Sequence, residues 1–353
     1  MENYLLEMIK NDDTFWTRSA GGCSDVVLST RVRLARNYKN YLFSTKIDEK
    51  QSRELLDNLR SAMVKEKDLY FFDLSLFTDE LKQALFEKQL ISKELATKTQ
   101  PTGLILNKEN DISIMVNEED HLRIQAYATG LDFDSALEKA IPMDELFSSF
   151  GEYAFNKDLG FYTFCLSNFG TGLRASVMVH LPGITEMGML PQLSRELHKA
   201  GYTLRGMYGE GTESWGGFFQ ISNQLTTGIS EEEIIQRITV AIDNLIKQER
   251  EIRHQVAQDK KLLLEDKVYR ALGLLKNARI LTQKEAILNI SMIRMGICEK
   301  IIGEDSEDSE NSENHKNLTL SLTNKLILYS STNYLKAIES NRAEKIREIL
   351  STI

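Results

Sequence analysis

Alternating apolar and polar positions mark three consecutive strands in the first half of the chain. The residues at 104–107, 111–116 and 122–127 follow a period of two, and a polar Lys-Glu-Asn turn joins the first two runs. Apolar residues three and four apart over 50–67 and 79–89 predict helices. The pattern therefore predicts a hairpin that continues as a meander, with helices around it.

A capping box predicts the start of a further helix. Ser230 stands at the N-cap and Glu233 three residues later, a pair that satisfies the free N–H groups of a first turn. One face of this helix then carries Ile234, Ile238, Ile242 and Leu245. The mixture of strands and helices predicts an α+β domain with an antiparallel sheet flanked by helices.

Strand patterns disappear after about residue 260. Thr282 and Glu285 form a second capping box, and a helical stripe follows at Ile287, Ile290, Ile293, Ile297 and Ile301. The serine- and acid-rich run at 304–316 predicts a flexible acidic loop, and two more helical segments end in 333–353. We expect an N-terminal segment, a catalytic-type domain and a small all-helical C-terminal domain, at 1–21, 22–254 and 255–353.

Composition excludes several classes of protein. The chain has 353 residues and a net charge of −9, which disfavours a general nucleic-acid binder. Its three cysteines are far apart and have no metal-ligand spacing, which indicates a reducing compartment and no structural metal. Neither a signal peptide nor an apolar run of membrane-spanning length is visible, so we expect a cytoplasmic protein that does not bind membranes.

The string Asn-Glu-Glu-Asp-His-Leu-Arg at 117–123 is the most informative stretch. Three consecutive carboxylates, an imidazole and a guanidinium are costly to bury and contribute nothing as a folding signal. A solvated hairpin end is the alternative interpretation. Because the string lies between two strands, which would hold it rigidly, we favour a functional site.

Arginines recur in short segments flanked by Gly, Ser or Thr. They are Arg31, Arg33, Arg123, Arg174 and Arg205. A lone arginine at a strand end is usually a surface residue. Several guanidinium forks together, however, suit phosphate oxygens and can hold a triphosphate in a chain that has no GxxxxGK[ST] loop and no HRD or DFG segment.

Two further segments are candidates for chemistry. The glycine-rich run at 205–213 is either a floppy loop or a lid that carries Glu210 into a site. Cys165 closes the apolar run 161–165, which we predict to be a strand, and a glycine-rich turn after it is predicted to lead into a helical segment. Such a turn offers N–H groups that lower a thiol pKa or bind an anion, although a lone cysteine on a strand is usually a small buried hydrophobe.

Five segments together resemble the phosphagen (guanidino) kinase family. They are STRVRLARN (29–37), NEEDHLRIQ (117–125), SNFGTGLRASV (167–177), RGMYGEGTES (205–214) and ISNQLTTG (221–228), and they occur in the family's order. Creatine and arginine kinases carry a helical domain before the first segment, where this chain has 28 residues. The helical region at the other end is similar to that of the bacterial protein-arginine kinase branch (McsB type).

The resemblance implies roles for individual residues. Glu119 and Glu210 would hold the acceptor guanidinium, and Cys165 would lie beside it. ATP would be the donor, with Mg²⁺ held mostly by nucleotide oxygens and no metal ligands from the protein. The ATP-contacting positions implied are Ser29, Thr30, Arg31, Val32, Arg33, Gln89, Arg123, Arg174, Ala175, Ser176, Val177, Met178, Arg205, Gly206, Met207, Tyr208, Gly209 and Glu210.

The chain departs from the family pattern at three places. Gln89 stands where the family has a histidine near the adenine, which is expected to change nucleotide affinity, and Leu166 replaces the usual proline after the cysteine. The family's RDxxRA motif, which binds phosphoarginine allosterically, has its nearest match here at 338–343, where Glu339 replaces the aspartate and only Arg342 and Ala343 are retained. We therefore expect an ordinary amphipathic terminal helix rather than a phosphoarginine pocket.

The function implied is ATP-dependent phosphorylation of arginine side chains in proteins. A kinase of free arginine or another small guanidine, and an inactive adaptor, are the alternatives. The partners that the resemblance implies are protein substrates with exposed arginine, an activator of the McsA type and a Clp-family AAA+ unfoldase. The helical stripe suggests a homodimer.

Overall fold

The computed structural model describes residues 14–17, 21–207, 214–303, 319–331 and 338–351. The predicted acidic loop at 304–316 and the candidates Tyr208, Gly209 and Glu210 lie outside the described residues.

An eight-stranded antiparallel sheet forms the centre of the molecule, in the order β2-β3-β4-β5-β1-β8-β10-β9. The meander predicted from sequence period is confirmed, since β3 pairs with β4 and β4 with β5. A separate pair, β6 and β7, makes a small ribbon. The strands are β1 (Val27–Arg36), β2 (Leu69–Asp73), β3 (Gly103–Asn107), β4 (Ile112–Val116), β5 (Leu122–Thr129), β6 (Phe155–Asn156), β7 (Gly160–Phe161), β8 (Leu173–His180), β9 (Tyr202–Gly206) and β10 (Phe218–Asn223).

Helices flank the sheet, and in the described chain after residue 230 there are helices and connecting loops but no strands. Both predicted capping residues are confirmed, because the Ser230 and Thr282 hydroxyls accept the N–H groups of Glu233 and Glu285. The helices are α1 (Glu49–Ala62), α2 (Asp79–Glu87), α3 (Lys93–Thr97), α4 (Phe133–Ser148), α5 (Pro182–Glu186), α6 (Leu190–Lys199), α7 (Glu231–Asp259), α8 (Lys261–Asn277), α9 (Gln283–Cys298), α10 (Leu320–Ser330) and α11 (Ile338–Ser351).

The two faces of the sheet differ in chemistry. One face carries apolar side chains such as Val32, Ile124 and Val177, and packs against α1, α4 and α7 in the largest core. The opposite face is apolar only at its margins: β3 and β4 pack there against α2 and α3, and the ends of β8 and β10 pack against α8 and α9. The polar middle of this second face lies between those two smaller cores.

Two sequence predictions around Cys165 are wrong. Of the predicted strand at 161–165, only Phe161 belongs to a strand, the short β7 of the ribbon, and the glycine-rich turn leads into β8 rather than into a helix. After the Tyr162 N–H, which donates to the Ala154 carbonyl, the backbone bonds to side chains: Asn37 Nδ2 donates to the Tyr162 carbonyl at 3.0 Å, and the Phe164 N–H donates to Asp120 Oδ1 at 2.7 Å. Long-range side-chain partners of this kind leave no signature in the local pattern.

Smaller differences concern helix ends. The first predicted helix stops as α-helix at Ala62 and continues only as a 3₁₀ turn to Lys65, and α2 ends before Gln89, whose backbone takes a φ of 62°. Ile287, Ile290 and Ile293 are buried as predicted, whereas Ile297 is half-buried and Ile301 lies beyond the end of α9.

The C-terminal helices are tied to the turn that precedes β1. Arg294 of α9 is fully buried and donates to the carbonyl of Ser24, while Arg253 of α7 bridges Asp25 and Glu299. A buried ion pair of this kind is strongly destabilising to break. Within the described ranges, none of the helices combines the length and hydropathy needed to cross a bilayer.

Candidate active site

The strand register places the five predicted arginines on the polar face of the sheet. Residues that pair directly in an antiparallel ladder point to the same side. Arg33 of β1 pairs with Arg174 of β8, and Arg31 pairs with Ser176. Arg123 lies two positions before Gln125, the β5 partner of Arg33, and Arg205 of β9 pairs with Gln220 of β10.

Arg33 is the most deeply buried member of the cluster. Its side chain is 7% exposed, one guanidinium nitrogen donates to Asn168 Oδ1 at 2.6 Å, and Nε has no hydrogen-bond partner. Burial, followed by the charges of Arg123, Arg174 and Arg31, holds its pKa well below the ordinary value for arginine. A buried cation surrounded by like charges is costly unless an anion joins it.

Arg31 and Arg174 are held by neutral partners. Arg31 donates to Ser176 Oγ at 3.2 Å and to Gln125 Oε1 at 3.3 Å, and Arg174 donates to Ser222 Oγ at 2.8 Å. Burial and then the charges of Arg205, Arg31 and Arg123 lower the pKa of Arg174 to about 10. These hydroxyl and amide partners fix the guanidinium planes without neutralising them.

Glu118 supplies a buried countercharge at one edge of the cluster. Its carboxylate forms a salt bridge with Arg123 and also accepts the hydroxyl of Ser92 and the N–H of Glu119. Burial alone would raise its pKa, but Arg123, Ser92 and the N–H of Glu119 outweigh it, and the pKa of Glu118 falls to about 2. The predicted alternative of a solvated hairpin end is wrong, because this carboxylate is buried and paired.

Glu119, which the resemblance implies holds the acceptor guanidinium, is half-buried beside this pair. Burial and then the charge of Glu118 raise its pKa, against the opposing effects of Arg123 and Arg33. A carboxylate with a raised pKa next to a cationic cluster is well suited to accept a proton.

Asp120 and His121 fix the turn that carries Glu119. Asp120 Oδ1 accepts the Asn37 amide at 2.6 Å and the Phe164 N–H at 2.7 Å, which ties the turn to the segment before Cys165. His121 Nδ1 accepts the Tyr38 N–H, so Nε2 donates to the Leu42 carbonyl at 2.7 Å. Burial lowers the pKa of His121 to about 4, and the imidazole is a neutral structural link.

Cys165 is half-buried and within electrostatic reach of Arg174. Its carbonyl accepts the Thr163 hydroxyl at 2.8 Å and the Asn168 N–H at 3.0 Å, and Asn168 in turn accepts Arg33. The thiol therefore lies beside the arginine cluster, on a turn that is not a helix N-terminus.

Some of the other candidate nucleotide contacts lie on the arginine face of the sheet, and others do not. Gln89 is linked to the cluster indirectly. Its backbone carbonyl accepts the hydroxyl of Tyr127 at 3.1 Å, and Tyr127 lies beside Arg31. Ser29 and Met178 pair on the arginine face. The side chains that the structure does not bring to this face are Thr30, Val32, Ala175 and Val177, which are buried on the apolar side. Met207, two positions after Arg205, lies at the margin of the arginine face, where it packs against the C-terminal core, and Gly206 has no side chain to contribute.

The residues of the degenerate C-terminal motif lie on α11. Arg342 is buried and donates to the carbonyls of Ser330 and Leu281, at 2.9 and 2.8 Å, whereas Glu339 is exposed. These bonds hold α11 against the end of α10, and they engage two of the three guanidinium nitrogens with backbone.

Sequence reasoning gave no individual role to several residues that build the site. They are Ser92, Asp120, Gln125, Tyr127, Asn168 and Ser222. Gln125 and Tyr127 alternate with apolar residues on β5, a strand-face signal that could have been used. Asp120, Asn168 and Ser222 lie inside segments that the sequence singled out, but, like Ser92, they act through partners distant in sequence, which no local pattern identifies.

Comparisons with known proteins agree with this geometry. Residues 50–252 match the family model of the ATP:guanido phosphotransferase C-terminal catalytic domain, and residues 261–353 match that of the protein-arginine kinase McsB C-terminal domain. A protein-arginine kinase from Bacillus mycoides is 42% identical over 80% of this chain and 81% of its own length, and one from Bacillus cereus is 40% identical over the same shares.

Solved structures share the fold. A duplicated taurocyamine kinase from Schistosoma mansoni has a TM-score of 0.59 at 24% identity, over 73% of this chain and 39% of that one. A lombricine kinase has a TM-score of 0.57 at 23% identity, over 70% of this chain and 71% of that one.

Proposed function

The chain belongs to the ATP:guanido phosphotransferase family, and from that premise we propose that it transfers the γ-phosphoryl group of ATP to arginine side chains in proteins. The acceptor is then a guanidinium on a polypeptide, and the products are ADP and a phosphoarginine side chain.

The arginine cluster is the observation that carries the proposal. Arg31, Arg33, Arg123 and Arg174 converge on one face, and Glu118 neutralises only Arg123 directly. A triphosphate supplies the negative charge that the cluster lacks, and its oxygens match guanidinium forks. Phosphoryl transfer depends mainly on such charge stabilisation and on in-line positioning.

Glu119 is the residue that we propose makes the acceptor guanidinium nucleophilic. A protonated guanidinium is a poor nucleophile because its pKa exceeds about 12. A half-buried carboxylate beside the phosphate site can orient the guanidinium and accept its proton as the N–P bond forms. We assign the second such role to Glu210, which lies outside the described residues.

Cys165 is proposed to lie beside the acceptor guanidinium. Its turn is held by Asn168, which contacts Arg33, and by the Asp120 bond to Phe164. This arrangement fixes the thiol relative to both the arginine cluster and Glu119, as in-line transfer requires.

Mg²⁺ is proposed to be held mostly by nucleotide oxygens and water, and it would neutralise charge that develops on the phosphates.

A protein acceptor is supported by the relatives at 40–42% identity, which are protein-arginine kinases. The test is incubation with ATP and either an unfolded protein or free arginine, followed by mass spectrometry for acid-labile phosphate. We expect phosphoarginine in the protein. Phosphate on free arginine alone would instead establish the alternative, a small-guanidine kinase.

The role of Glu119 is tested in the same assay. We expect Glu119→Gln to lower kcat by about 10²- to 10⁴-fold, the usual contribution of general base catalysis, with little change in KM for ATP. Glu109→Gln, on the exposed turn between β3 and β4, is the matched control. If Glu119→Gln retained the wild-type kcat, this carboxylate would not be the base.

A further inference from the structure

Large apolar side chains are exposed immediately around the proposed acceptor position. Leu166 is 85% exposed, Leu42 is 59% exposed and Phe164 is 43% exposed. Between Leu159 and Phe169 no residue carries a charge, although 27% of the chain is charged. An uncharged segment with exposed leucine and phenylalanine is unusual for a free protein surface.

The exposed side chains belong to two segments that contact each other. The Phe43 and Phe164 rings contact each other edge to face, with centroids 6.3 Å apart. Leu42 is joined to the catalytic turn through the His121 bond to its carbonyl. We call Leu42, Phe43, Phe164 and Leu166 the apolar rim.

The apolar rim is directly connected to both proposed acceptor groups. Cys165 is half-buried and within electrostatic reach of Arg174, whereas its two neighbours in sequence, Phe164 and Leu166, are exposed. The Phe164 N–H bonds to Asp120, the residue that follows Glu119. A guanidinium held between Glu119 and Cys165 would therefore enter past this rim.

We propose that the apolar rim binds the polypeptide on either side of the acceptor arginine and selects arginines that have bulky apolar neighbours. This inference rests on the proposed function. In an extended chain, consecutive residues are about 3.3 Å apart, so the residues within two positions of the arginine lie over the rim when its side chain is inserted.

The chemistry of the rim favours this occupant over a small guanidine. A free guanidine fits between Glu119 and the phosphates and covers none of the exposed leucine or phenylalanine surface. A polypeptide with apolar side chains removes that surface from water, which is favourable. Since folded proteins bury such residues, an accessible arginine beside them occurs mainly in non-native chains.

The test uses two peptides of equal length and net charge, each with one central arginine. One peptide has leucine or phenylalanine at the two positions on each side, and the other has serine or glutamine there. We expect wild-type kcat/KM to be about tenfold higher for the apolar peptide, the discrimination typical of a few apolar contacts. Leu166→Ser should reduce this ratio, and the matched control Leu76→Ser, on an exposed 3₁₀ turn outside the rim, should preserve it.

Each outcome decides the matter. Equal kcat/KM values for the two peptides with the wild-type protein would overturn the rim's role while leaving protein phosphorylation intact. Phosphorylation of free arginine but of neither peptide would overturn the proposed function, and the inference with it. An unchanged ratio in Leu166→Ser would also overturn the rim's role in selecting peptides. If the molar mass of Leu166→Ser by light scattering were then lower than that of the wild type, a second copy of the chain would be the occupant of the rim.

Discussion

At the scale of single residues, the site has more cationic than anionic side chains among the residues that the structure describes. Arg33 is buried with an unsatisfied Nε, and its nearest strong partner is the neutral amide of Asn168. Arg123 does have a carboxylate partner, Glu118, on the turn after β4. The cluster therefore keeps its geometry while retaining net positive charge for a ligand.

Glu118→Gln tests the buried countercharge. The folded-state pKa of Glu118 is about 2, below its ordinary 4.5. Its stabilisation is therefore fully present above about pH 4.5 and is lost as the pH falls towards 2. At about 1.36 kcal/mol per pKa unit, the contribution to the free energy of unfolding is about 3 kcal/mol at neutral pH.

Urea unfolding of the wild type and of Glu118→Gln at pH 7 and pH 3 measures this contribution. We expect the stability difference between the two proteins to shrink markedly at pH 3. A difference that is the same at both pH values would mean that the Glu118 charge does not stabilise the fold.

At the scale of elements, β1, β5 and β8 together form the face that we propose binds phosphate. Arg174→Gln keeps a hydrogen-bonding group near Ser222 but removes a charge that is repelled by Arg205, Arg31 and Arg123. The nucleotide-free variant should therefore be no less stable than the wild type. Its stabilisation by ATP should shrink, because a hydrogen bond to a charged group contributes about 1.5–3 kcal/mol to binding.

Thermal melting with and without ATP measures both effects. For the wild type, ATP at 100 times Kd should add about 2.7 kcal/mol of stability. Arg237→Gln, on the exposed side of α7, is the control and should keep the full ATP effect. An equal ATP effect in Arg174→Gln would remove Arg174 from the nucleotide site.

The turn at 117–121 and the loop before Cys165 form a second functional unit, joined by Asp120. We classify Asp120 as a positioning residue. Asp120→Ala should lower kcat, by up to about 10²-fold if the thiol shifts by about 1 Å, and leave KM for ATP unchanged. Asp120→Asn should restore most of kcat, since an amide oxygen can also accept the Asn37 and Phe164 donors.

Steady-state kinetics of Asp120→Ala and Asp120→Asn show whether Asp120 acts by holding the loop in place or through its negative charge. If Asp120→Asn were as impaired as Asp120→Ala, the negative charge of Asp120 would be the important property. In that case the account of this loop would be wrong.

The same elements show what sequence can and cannot predict. The period-two pattern of β3, β4 and β5 and the capping serine of α7 depend on neighbouring residues, and both were predicted correctly. The loop before Cys165 depends on Asn37 and Asp120, which are far away in sequence, so its apolar composition was mistaken for a strand. The convergence of Arg31, Arg123 and Arg174 follows from the register of three strands, which the sequence pattern does not specify.

At the scale of the whole molecule, the arginine face lies between two smaller apolar cores. Helices α2 and α3 border it on one side, and the C-terminal helices border it on another. Ser291 of α9 bonds both His180 of β8 and the Gly216 carbonyl, a few residues after the 208–213 segment. The C-terminal helices thus support strands that carry the site.

The central claim is that this arginine face holds the triphosphate of the donor. A crystal structure with Mg²⁺ and a non-hydrolysable ATP analogue tests it most directly. The account predicts phosphate oxygens within about 3 Å of the guanidinium groups of Arg33, Arg123 and Arg174. An analogue bound instead in the cavity of about 780 Å³ between α5, α8 and α9, with the arginine face empty, would contradict it.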